Sequence, residues 1–184
     1  MAVLIDIVGA SVIAGIIMLT ILNLNANLNQ ASYEKVYTLN MQTNIVTLAR
    51  IIEYDFVKIG YHTSKPAILN ADSTSIRFTS DLLNAGVTNT VKYSISDVSE
   101  SVVASTKNPR DRMIYREVNG QPMISANLGV TSLKFTYLDS MGSETSNLTF
   151  IKAIRVKIKL ENPEPIDTTY QGVFWEKTIY PRNL

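Results

Sequence analysis

The chain has 184 residues, a net charge of +1 from 17 basic and 16 acidic side chains, and no cysteine. That length holds one domain with a core beside a membrane segment, not two ordinary domains. The balanced charge excludes a global field for nucleic acid, and the missing cysteine excludes disulfides, thiolate metal sites and a cysteine nucleophile.

Charged residues make up only 18% of the chain, and the reason is local: no residue from Ile7 to Tyr33 carries a charge. Ala2 to Leu22 reads AVLIDIVGASVIAGIIMLTIL, with Asp6 its one charged side chain. At 1.5 Å per residue this run reaches roughly 31 Å, about the thickness of a hydrocarbon core. In lipid its backbone must bond internally, so it is expected to be helical. Gly9, Ala10, Ser11, Ala14 and Gly15 are small enough to let another helix approach closely. Three readings fit the run: a signal peptide, a plain single-span anchor, or an anchor that also assembles. The first lacks a basic start and an A-x-A cleavage site. The third rests on Asp6, because a carboxylate at the centre of a span costs on the order of 2.5–3.5 kcal/mol. Asp6 lies near one end, so it either reaches the interface or pairs with an amine, its own or a neighbour's.

The Asn-rich run Asn23–Asn29 follows and is the place where a bend is expected, since Asn is a modest helix former. Beyond it, apolar residues recur as Tyr33, Val36, Tyr37, Leu39, Met41, Ile45, Leu48, Ala49, Ile52, Phe56 and Ile59, mostly in steps of three or four. This spacing predicts an amphipathic helix with Gly60 as its stop. A continuous helix from Ala2 to Ile59 is about 58 residues and roughly 87 Å long, more than a small domain needs for its own core.

After Gly60 the period changes to two. Strands are predicted at Ser75–Thr79, Thr90–Ser96, Met113–Val118, Thr131–Leu138, Thr149–Leu160 and Gly172–Tyr180. Asn119–Gly120, between MIYREV and QPMIS, signals a tight hairpin. Asp97–Arg112 is polar and expected to be a loop. Leu133, Phe135 and Tyr137 share one strand face, and Ile154, Val156, Ile158 and Leu160 another. The expected fold is therefore α+β: a long N-terminal helix packed on an antiparallel sheet, covered by Ile45–Ile59. Three segments result: 1–29 for the membrane and assembly, 30–60 as the amphipathic half of the same helix, and 61–184 as a β-rich head.

No constellation points to catalysis or to a cofactor. One histidine, His62, builds neither a typical zinc site nor a specific triad, and reads as a surface or capping residue. Arg155, Lys157 and Lys159 read as a solvated basic stripe or as a surface for an acidic neighbour. DSMGSE (Asp139–Glu144) lacks the spacing of a calcium loop and reads as a hairpin turn. Trp175, with Tyr170, Phe174 and Tyr180, reads as packing rather than as a binding platform. Phosphate loops and G-x-S-x-G are absent from the sequence.

LIDIVGASVIAGIIMLTIL resembles the start of mature type IV pilins and of the pseudopilins of type II secretion. Those chains share a Leu-Ile-acid start and a small-residue-rich apolar helix. Counted from Ala2, the family's acid falls at Asp6, after Leu4–Ile5. Aspartate stands where the family has glutamate, and the usual proline near Leu22 is missing. Asp55 to Tyr61 (DFVKIGY), VTSLKFTYLDSMG, IRVKIKL and Arg182–Asn183 are similar to the larger minor subunits, the W-type minor pilins and J-type pseudopilins. The resemblance implies a filament subunit that assembles through its N-terminal helix. The implied assembly residues are Ala2, Leu4, Ile5, Asp6, Gly9, Ala14 and Gly15, with Asp6 paired to the amine of the adjacent subunit. It implies copies of the chain or homologous subunits as partners, the cytoplasmic membrane before assembly, and an extracellular or periplasmic filament afterwards. The alternative is a membrane-tethered binding module or adhesin that works as a single copy.

Overall fold

A computed structural model describes residues 2–64, 66–98, 106–124, 128–166 and 168–184. It consists of one helix and eight strands: α1 (Ala2–Val57), β1 (Ile68–Ala71), β2 (Ser75–Ser80), β3 (Asn89–Ile95), β4 (Ile114–Val118), β5 (Gln121–Ile124), β6 (Val130–Leu138), β7 (Ala153–Glu161) and β8 (Gly172–Ile179). The chain divides into two compact units, Met1–Leu39 and Asn40–Leu184, and the division falls within α1. Met41 is the first buried apolar residue of the helix.

In the second unit α1 presents Met41, Ile45, Leu48, Ala49, Ile52 and Phe56 to the core, and Ile59 follows just past its end, all buried. Those are seven of the eleven positions in the three-and-four spacing; Tyr33, Val36 and Leu39 are exposed and Tyr37 is half-buried. The helix passes through Asn23–Asn29 without interruption. There the Asn29 side-chain amide donates to Asn25 Oδ1 one turn earlier, a pairing that supports a weak helix former. α-Helix ends at Val57 rather than at Ile59, since the N–H groups of Lys58 and Ile59 bond three residues back, to Asp55 and Phe56. Gly60 then takes φ +75°, and its N–H leaves the helix to bond the Thr79 carbonyl of β2.

All strand pairings are antiparallel, in two sheets with orders β1-β2-β3-β4-β5 and β6-β7-β8. The one expected sheet is thus two. They meet where the Phe135 N–H donates to the Ser73 carbonyl and the Tyr137 hydroxyl to the Asp72 carbonyl, without a shared ladder. β1 has no counterpart in the sequence reading, because ILNA is short and does not alternate. β7 starts at Ala153 and not at Thr149, since the Asn147 side chain caps the Thr149 N–H and turns the chain there. Asn119 and Gly120 both adopt positive φ between Val118 and its partner Gln121, the two-residue hairpin that Asn-Gly favours. Ile154, Val156, Ile158 and Leu160 are fully buried, as are Phe56 and Phe78, whose rings meet edge to face 5.5 Å apart.

Candidate assembly site

The first unit is a bare helix. Every described residue from Val3 to Tyr33 is exposed, so its apolar side chains cover nothing within the chain. Its span is long and apolar enough to cross a membrane. The hydroxyls inside it bond the helix itself: Ser11 donates to the Val8 carbonyl and Thr20 to that of Ile16, each at 2.8 Å. This removes the cost of an unpaired hydroxyl in hydrocarbon.

The residues implied for assembly lie on this helix and do not form one patch. At about 100° per residue, Asp6 shares an arc with Ala10 and Ala14, whereas Leu4 and Gly15 fall on roughly the opposite side. Leu4, Ile5, Asp6 and Ala14 are exposed, and Gly9 and Gly15 have no atom within 4 Å of an added Cβ. Ala2 begins the helix. Asp6 makes no hydrogen bond or ion pair among the described residues. A helix with small residues on opposite sides accommodates more than one neighbour.

The second unit holds three polar clusters. Asp55, 1% exposed, lies on the buried side of α1 and receives three bonds from sheet residues far along the chain. The Tyr93 hydroxyl donates to Oδ2 at 2.5 Å, Arg116 Nε to Oδ2 at 2.7 Å and Arg116 Nη2 to Oδ1 at 3.3 Å. Tyr93 and Arg116 face each other across β3 and β4, so one register delivers both groups to one carboxylate. Burial, and then the Asp55 charge, push the Tyr93 phenol well above its ordinary value. Donating hydrogen bonds to Asp55 raises the Arg116 guanidinium above its ordinary value, against its partial burial. Sequence reading placed Asp55 in a family motif and missed its partners, because they lie 38 and 61 residues away.

Asp81 is buried after β2 and accepts the N–H groups of Ala85 and Gly86 at 3.0 and 2.7 Å. His62, at φ 46°, stacks on Tyr61 and places Nδ1 4.0 Å from Asp81. Burial raises the Asp81 carboxyl, but these N–H groups and His62 outweigh it and leave it below the ordinary 3.8. Glu161, also buried, takes Lys159 at 2.8 Å, Arg110 at 2.9 Å and the Asn108 amide at 3.2 Å. Burial raises this carboxyl too, yet Lys159, Asn108 and Arg110 leave it below the ordinary 4.5.

The basic stripe is partly neutralised within its own sheet: Glu176 on β8 lies 3.7 Å from Arg155 and 3.2 Å from Lys157. DSMGSE is a turn in which Asp139 Oδ1 accepts the N–H groups of Met141 and Ser143. Trp175 packs against the core. Among the described residues, no three His, Cys, Asp or Glu side chains cluster as a metal site. No family model, no curated protein and no solved structure matches the chain.

Proposed function

We propose that the chain is a structural subunit of an extracytoplasmic filament, of the type IV pilus or secretion pseudopilus kind, held together by packing of N-terminal helices. The observation that carries this reading is α1 itself. Its last third is the core helix of the head, and its first half is an exposed apolar span with one carboxylate. A tether needs no apolar helix able to pack against copies, since a flexible linker serves it. Copies that pack side by side bury the exposed span, and the small residues admit the neighbours. Asp6 then meets the α-amine of an adjacent copy in low dielectric, where opposite charges attract strongly.

The test co-expresses wild-type and Asp6→Ala chains and quantifies both in the sheared filament fraction, against their levels in the membrane. Asp6→Ala leaves an amine buried without its partner, a loss of about 3–5 kcal/mol at each contact. The variant is expected in the membrane at wild-type levels and depleted at least tenfold from filaments, while Asp6→Glu enters normally. Equal entry of Asp6→Ala and wild type refutes the pairing. Absence of any filament carrying the chain refutes the function and favours the tethered single copy.

A further inference from the structure

The head carries a groove of about 750 Å³ on the solvent side of α1, beside the C-terminal residues. Arg50, Tyr54 and Val57 line it from the helix, and Tyr61 and Arg182 line it from outside the helix. Val46, Arg50, Tyr54 and Val57 are exposed and recur at helical spacing, so α1 has a second, partly apolar face turned away from the core. The charge on this groove is positive. Glu53 is paired with Lys177 at 2.7 Å. Lys58 Nζ lies over the Tyr54 ring and donates to the Leu82 carbonyl. Arg50 and Arg182 make no ion pair among the described residues. An occupant must therefore offer an apolar anchor with carboxylates beside it.

The chain itself has such a feature. Met141, 90% exposed, is the most exposed large apolar side chain among the described residues. It stands at the tip of the turn between β6 and β7. The Asp139 carboxylate braces that turn through the N–H groups of Met141 and Ser143, so the tip needs little ordering on binding. Asp139 and the exposed Glu144 bracket it with negative charge. Other exposed apolar residues near acids fit less well. Leu83 lies beside Asp81, whose oxygens are consumed by Ala85 and Gly86. Phe174 lies beside Glu176, which Lys157 already holds.

We infer that the Met141 turn of one copy docks into the Arg50–Tyr54–Val57–Arg182 groove of a second copy. Met141 lies over Tyr54 and Val57, and Glu144 and Asp139 face Arg50 and Arg182. The two patches are different surfaces of one chain, so the contact is head-to-tail and repeats from copy to copy. It rests on the proposed filament and adds a contact between heads to the packing of helices.

The natural absence of cysteine makes the test clean. Cells co-express the single variants Ser140→Cys and Thr47→Cys, exposed positions beside the two patches that leave Met141 and Tyr54 in place, and membranes and sheared filaments are treated with a short bismaleimide. A parallel culture carries Ile5→Cys as a reporter of helix packing. The expected result is a dimer between the two head variants, and a ladder when one chain carries both cysteines. Arg50→Glu should cut the dimer yield at least tenfold, and Glu144→Arg in the partner should restore it. Ile5 cross-links without the head dimer overturn this contact and leave the filament standing. A head dimer without Ile5 cross-links supports the contact and removes the helical packing. Capture of a different protein by Thr47→Cys, identified by mass, overturns the self-docking.

Discussion

Arg116→Ala tests whether the helix is locked to the first sheet through charge. The substitution removes both guanidinium bonds to Asp55, at 2.7 and 3.3 Å, and leaves a carboxylate that is 1% exposed with the Tyr93 hydroxyl still donating to it. Stripping one member of a buried ion pair typically costs about 3–5 kcal/mol. The Arg116 side chain is 21% exposed and water reaches the site, so the lower end, about 3 kcal/mol, applies. A unit of about 145 residues unfolds with an entropy near 0.3 kcal/mol/K, so Tm should fall by about 10 °C. The assay is thermal unfolding of the full chain in mild detergent, followed by fluorescence of Trp175, the one tryptophan, which is partly buried and packs against the core. Asp55→Leu combined with Arg116→Met should recover most of the loss, because apolar groups replace the pair without leaving a charge behind. A Tm within about 2 °C of wild type for Arg116→Ala would mean that water or a rearranged neighbour solvates Asp55, and the charge-lock argument would fail.

Three further outcomes are expected. Gly60→Ala forces a Cβ at φ +75° to within 3.0 Å of the Ala67 Cβ and the Asn183 carbonyl, and should lower Tm by roughly 3–10 °C in the same assay. Asp81 and Glu161 have depressed folded values, so the unfolded chain binds more protons in acid; their stabilisation is complete above their ordinary values of 3.8 and 4.5 and is lost as pH falls below them. Melts from pH 7 to pH 2 should therefore hold level down to about pH 5 and then drop, and Glu161→Gln should flatten the drop. Removing residues 1–29 should give a chain that stays soluble without detergent and melts at the Tm of the full-length head, since the buried residues begin at Met41; aggregation or a lost transition would show that the head depends on the span.

Local physics made part of the molecule legible in the sequence. A membrane-length apolar run, a three-and-four spacing from Met41 to Ile59, a glycine stop and an Asn-Gly turn each act within a few residues, and each stands where the pattern put it. Two-residue alternation likewise located the buried faces of β6 and β7. Other features needed the folded chain. Splitting of the strands into two sheets, the short β1, and the delivery of Tyr93 and Arg116 to Asp55 depend on which distant segments pair and in which register. The same holds for Asp81 and Glu161, whose surroundings turn ordinary acids into depressed ones. Periodicity tells a residue which side is inward. Only closure of the chain, which joins groups as far apart as Asp55 and Arg116, decides what it meets there.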